Sequence, residues 1–82
     1  MPTVDRIDGL RVVIYPNDHR PAHVHVIGKG CECVFQLDGD QHLPALRENF
    51  GFSERDLQKI KTAITKRLAH LMTEWDKLHG YV

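Results

Sequence analysis

His23-Val24-His25-Val26-Ile27-Gly28-Lys29-Gly30-Cys31-Glu32-Cys33-Val34-Phe35-Gln36-Leu37 is the stretch whose register decides the fold. It reads as two strands joined by the glycine-bracketed turn at residues 28–30. Side chains alternate across a strand, so a slip of one residue moves every side chain to the other face. Direct pairing of His25 with Cys33 would gather both imidazoles and both thiols on one face, in the manner of a metal site. It would also leave Val24 and Val26 opposite Glu32, Val34 and Gln36. The neighbouring register joins Val24 and Val26 to Cys31, Cys33, Phe35 and Leu37 in one apolar face. His23, His25, Glu32 and Gln36 then occupy the other. Apolar burial favours this second register, which predicts cysteines in the core and histidines across the sheet.

Upstream, Asp8-Gly9 separates residues 4–7 from residues 10–15, a hairpin signal with a left-handed turn. Pro16-Asn17-Asp18 ends the second strand, since proline has no donor for the ladder and Asn-Asp favours turns. Downstream, Asp38-Gly39-Asp40 is a further turn. In residues 41–52 the apolar Leu43, Leu46, Phe50 and Phe52 are interrupted by Pro44 and Gly51, and no regular element is assigned. The strands are expected within residues 3–46.

Ser53 followed by Asp56 predicts a helix start, with an oxygen to cap the first turn and acid near the positive end. Leu57, Ile60, Ile64, Leu68, Leu71, Trp75 and Leu78 follow at helical spacing and lie within about 60° of one direction. One helix over about residues 54–79 is expected, with Gly80 as its stop. The opposite side carries Arg55, Lys59, Lys66 and Lys77. At 26 residues such a helix would span about 39 Å, against about 30 Å for a globule of this chain length. The far end of its stripe, Leu71, Trp75 and Leu78, is therefore expected to project into an interface, giving a homodimer or a complex with a small cognate protein.

Eighty-two residues predict one domain, 1–82, of α+β class: an antiparallel sheet of three to five strands packed by the long C-terminal helix. Eleven Lys/Arg balance eleven Asp/Glu, so the whole molecule does not attract polyanions indiscriminately. Residues 1–41 are nevertheless acidic, four basic against six acidic, and residues 42–82 basic, seven against five. No apolar run could cross a bilayer and no secretory leader is recognisable, so a cytoplasmic location without membrane contact is expected. Two cysteines two positions apart do not form a disulfide framework, and both are expected reduced.

The densest chemistry is Asp18-His19-Arg20-Pro21-Ala22-His23-Val24-His25. This motif resembles the bacterial domain of unknown function 4160 family, in which an aromatic ends a strand and is followed by Asp-His, two prolines and a His-x-His strand. Tyr15, Asp18, His19, Pro21, His23 and His25 match that pattern; Ala22 stands where a second proline is usual, and Val24 where an aromatic is common. Met1-Pro2-Thr3-Val4 and the Leu71–Trp75 stretch are also similar. The resemblance implies a toxin–antitoxin component paired with a small neighbouring gene.

Three readings of the histidines stay open. They can be structural, holding the Pro21 turn through Asp18. They can bind metal, two imidazoles being joined by His19, Asp18 or Glu32. They can move protons in phosphodiester cleavage, with Arg20 steadying a phosphate. The leading expectation is a toxin–antitoxin-type component acting on or binding RNA. Its catalytic residues are His19, His23, His25 and Arg20, its nucleic-acid contacts Arg55, Lys59 and Lys66, and no metal or cofactor is required. A non-catalytic interaction module and a small metal-binding protein are the alternatives.

Overall fold

The structure, a computed structural model, describes residues 3–79, with Asp40 by its backbone alone; the stop expected at Gly80 lies outside the described residues. Five strands form one antiparallel sheet in chain order: β1 (Thr3–Ile7), β2 (Leu10–Val13), β3 (His23–Gly28), β4 (Cys31–Gln36) and β5 (Ala45–Phe50). Two helices complete the chain, α1 (Glu54–Lys66) and α2 (Leu68–His79). The class is α+β, as the periodicities require.

The two tight hairpins obey their turn chemistry. Asp8 and Gly9, at φ 48° and 83°, connect β1 to β2, and Lys29 and Gly30, at φ 52° and 75°, connect β3 to β4. Two successive left-handed residues match the twist of the strands they join. The β3–β4 pairing sets Val24 against Phe35, Val26 against Cys33 and His23 against Gln36. This is the register that apolar burial selects. Val12, Val24, Val26, Cys33 and Phe35 therefore share one face with Ile60, Ile64, Leu71 and Trp75 from the helices, and these residues form the main core. Cys33 is fully buried there, whereas Cys31 sits half-buried at its margin.

The fifth strand departs from expectation, for it lies over residues 45–50, beyond the limit set at 46. Its burial gives no period because it is an edge strand: five of its six residues are exposed. A bulge at Arg47, between Leu46 opposite Phe35 and Glu48 opposite Val34, further disrupts alternation. Asn49 ends the strand by clamping Phe52, donating from Nδ2 to its carbonyl and accepting its N–H at Oδ1. Ser53 then caps α1, its Oγ accepting from the Asp56 N–H at 3.1 Å.

The single 26-residue helix is the main correction. The chain leaves helical geometry at Arg67 (φ −110°, ψ 13°), where the N–H turns back to Ile64 O at 3.0 Å. No proline or glycine is needed. The Arg67 guanidinium donates to Arg6 O at 2.7 Å and lies 3.7 Å from an Asp5 carboxylate oxygen, so β1 holds the break from outside. The two halves of the apolar stripe both reach the sheet. Leu71 and Trp75 are fully buried within their own chain, Leu57 and Leu68 are half-buried, and Leu78 is exposed. Of the residues expected at an interface, Leu71 and Trp75 are enclosed by their own chain and offer nothing to a partner, which leaves Leu78 alone of the three exposed.

Trp75→Ala should therefore act on folding. It should cost about 3–5 kcal/mol, a large part of the 5–15 kcal/mol typical of a domain, and leave the sedimentation coefficient of the folded species unchanged. Urea unfolding and analytical ultracentrifugation separate the two effects; a variant of normal stability with altered assembly would restore the interface role.

Candidate functional site

β3 supplies two imidazoles to the face opposite the helices, because His23 and His25 alternate with the buried Val24 and Val26. That face is not open. Val13 and Val34, which flank His25 on the neighbouring strands, are buried although they lie outside the main core. The Tyr15 ring meets His25 edge-on at 4.8 Å. The side chains of Asp18, His23 and His25 keep only 16–19% of their exposure.

The loop after β2 delivers Asp18 to the pair. Its N–H donates to Tyr15 O at 3.0 Å, and the Tyr15 N–H donates back to Asp18 Oδ2 at 3.2 Å. This reciprocal turn fixes the carboxylate without any contribution from the imidazoles. Asp18 Oδ2 then lies 3.3 Å from His23 Nε2 and 3.3 Å from His25 Nε2. The other ring nitrogens are engaged. His23 Nδ1 is 2.8 Å from Pro21 O, and His25 Nδ1 is 3.1 Å from Glu32 Oε2. A carbonyl and a carboxylate can only accept, so each Nδ1 must carry the proton. Both Nε2 atoms of the neutral rings therefore turn lone pairs towards Asp18.

Beside this cluster is a cleft of about 330 Å³ lined by His19, His23, His25, Gln36, Arg47 and Glu48. Arg47 enters it because of the β5 bulge, and its Nη1 donates to Gln36 Oε1 at 2.6 Å. Neither Arg47 nor Glu48 was legible as a site residue, since the edge strand that carries them has no burial period.

The expected site residues are thus divided. His19, His23 and His25 come together at the cleft. Arg20 does not line it; its guanidinium is mostly exposed and lies 3.9 Å from Asp76 on α2. Arg55, Lys59 and Lys66 are exposed on α1, which packs on the other face of the sheet. A ligand seated at the histidines does not reach them directly. Lys59 and Lys66 instead border a separate depression with Gln58, Thr62, Arg67 and Asp8.

A family model described as Domain of unknown function (DUF4160) matches residues 9–76. The chain belongs to this family. No curated protein and no solved structure matches it. The matched span of this DUF4160 protein contains Tyr15, Asp18, His23, His25 and Glu32, and hence the whole cluster. No helix among the described residues is long and apolar enough to cross a membrane.

The cysteines take no part in the cluster. Burial, and to a lesser extent the Glu32 charge, push the Cys33 thiol up from its ordinary value near 9 to about 12. The proton is held more tightly by the native state, so stability is unaffected below the unfolded pKa and falls as pH rises from about 9 towards 12. Alkylation of the native protein near about pH 8.5 should mark Cys31 first and leave Cys33 unmodified until denaturant is added. Peptide mapping by mass spectrometry reads this directly, and equal labelling of both thiols would contradict the burial of Cys33.

Proposed function

We propose that this DUF4160 protein is a toxin–antitoxin-type component that engages the RNA backbone at the histidine cleft. One observation carries the reading: two half-buried imidazole edges of fixed orientation share a concave surface with a cation, Arg47, and two hydrogen-bonding side chains, Gln36 and Glu48. A phosphodiester presents an anion flanked by hydroxyl and ether oxygens. Arg47 matches the phosphate, and the polar edges around it match the sugar oxygens, with His23 and His25 at the reacting position. The reading replaces Arg20 by Arg47 as the phosphate contact. It also makes the α1 cations secondary.

Fluorescence anisotropy with a labelled single-stranded RNA tests it. Arg47→Ala should weaken binding about tenfold and reduce the salt dependence by about one phosphate contact. Simultaneous alanine substitution of Arg55, Lys59 and Lys66 should change affinity less. Absence of binding at low salt would end the proposal, as would a loss confined to the α1 variant. Expression should slow growth, and His25→Ala at matched folded levels should relieve it.

The partner that this reading requires has a better surface than the helix. β5 is an edge strand with one row of backbone groups unpaired, and Leu46 (45% exposed) and Phe50 (61% exposed) project from it. Such an edge accepts an added strand. We place the small cognate protein there, continuing the sheet. The product of the adjacent gene should co-purify with the wild type, and Leu46→Lys with Phe50→Lys should abolish the complex while preserving thermal stability. Undiminished co-purification would remove β5 as the docking strand.

A further inference from the structure

We propose that Asp18, His23 and His25 form a mononuclear site for a divalent transition metal of the zinc class. The inference rests on side-chain geometry and stands independently of the RNA reading. His23 Nε2, His25 Nε2 and an Asp18 carboxylate oxygen all lie within 4.8 Å of one another. With both Nδ1 atoms committed to acceptors, these three converging atoms are all lone-pair donors. No hydrogen bond joins them. The 3.3 Å contacts lack hydrogen-bond alignment, and His25 Nε2 is buried without a hydrogen-bond partner. A buried imidazole nitrogen in that position is costly unless something electropositive lies between it and the carboxylate.

The spacing fits a metal ion. Bonds of about 2.0–2.1 Å to imidazole nitrogen and carboxylate oxygen place tetrahedral ligand atoms about 3.3–3.4 Å apart; the two separations from Asp18 Oδ2 are each 3.3 Å, and the two imidazole nitrogens lie within 4.8 Å of each other. An octahedral arrangement of the same bonds needs about 2.9 Å between neighbours, by the same bond lengths. Two nitrogens and one oxygen suit zinc and its first-row neighbours, whereas magnesium and calcium prefer oxygen shells.

The surroundings have the form of an outer ligand shell. Metal-bound histidines characteristically donate their second N–H to a carboxylate or a backbone carbonyl. Glu32 does so for His25 and Pro21 O for His23, while the Tyr15 N–H holds Asp18 Oδ2. Three protein ligands leave a fourth tetrahedral position. A fourth ligand would be water or an oxygen of an incoming molecule, and His23 and His25, though not Asp18, also line the neighbouring cleft. His19 lines the same cleft but does not join the three clustered ligand atoms.

Titration of the purified full chain with zinc against a chromophoric chelator tests the site. One equivalent should bind, with magnesium failing to compete. His23→Ala and His25→Ala should each lower affinity at least a hundredfold, and Glu32→Gln, which keeps all three ligands, about 10–100-fold. Circular dichroism on each variant checks folding, and Glu32→Gln covers the case in which a histidine variant does not fold. Cobalt substitution should give an intense tetrahedral visible band without thiolate charge transfer, and Cys31→Ala should bind as the wild type does. In the metal-free protein, nitrogen-detected NMR should show both rings protonated at Nδ1. The proposal is overturned if zinc binds no more tightly to the wild type than to the folded histidine variants. It is equally overturned if cobalt shows thiolate ligation, or if either ring is protonated at Nε2 when neutral. A protein that binds zinc at this site and ignores RNA would leave this proposal intact and end the functional one.

Discussion

Pairing of Val26 with Cys33 fixes the chemistry of both sheet faces at once. Everything on β3 and β4 follows from it by alternation: Val24, Val26, Cys33 and Phe35 point to the helices, and His23, His25, Glu32 and Gln36 point away. The neighbouring register would place beneath Ile64 and Trp75 either the two imidazoles, on the face of the thiols, or Glu32 and Gln36, on the face of Val24 and Val26. Burying such groups without partners costs several kcal/mol, a large fraction of what holds a domain of this size together. The apolar face thus selects the register, and the register presents the histidines to Asp18.

The same constraint explains why the helices break. A rigid rod longer than the sheet would bury only part of its stripe. With the interruption at Arg67, Ile60 and Ile64 of α1 and Leu71 and Trp75 of α2 are all buried in the one core. Arg67 is well suited to the point of change, because its long side chain spans the gap to the Arg6 carbonyl. Trp75 in its buried place also backs the functional face, its ring centroid 5.3 Å from that of His23, while His79 stacks on its other flank at 3.7 Å. Core packing and the position of an imidazole are therefore linked through one aromatic ring.

Around the cluster, each histidine has one nitrogen held by an acceptor and one left free. His25 relies on Glu32 from the adjacent strand, two residues along from its direct partner Val34. Such diagonal pairs are within reach of long side chains on one sheet face. The β5 bulge brings Arg47 to the same cleft, although Leu46 beside it remains opposite Phe35. The sheet face thus combines an electron-rich cluster with a cation at its margin. This separation of charge supports both an anionic ligand at Arg47 and a metal ion at the imidazoles.

Local pattern alone determined the two faces of β3 and β4, the Asp8-Gly9 turn, the Ser53 cap and the burial of Ile60 and Ile64 with the core, but not the enclosure of Leu71 and Trp75, which a single straight helix would have left projecting. These are local rules of alternation, capping and apolar spacing, and they hold without knowledge of what lies opposite. His23 and His25 were readable as a pair for the same reason. Tertiary structure alone decided that Asp18 is the third member, because the Tyr15 turn sets its direction, and that Glu32 braces a ring. It also decided the break at Arg67, which depends on an acceptor 61 positions away in the chain. The strand at residues 45–50 and its Arg47 bulge were hidden because an edge strand has one neighbour and little burial. Its sequence need not alternate, and only the finished sheet gives it a place.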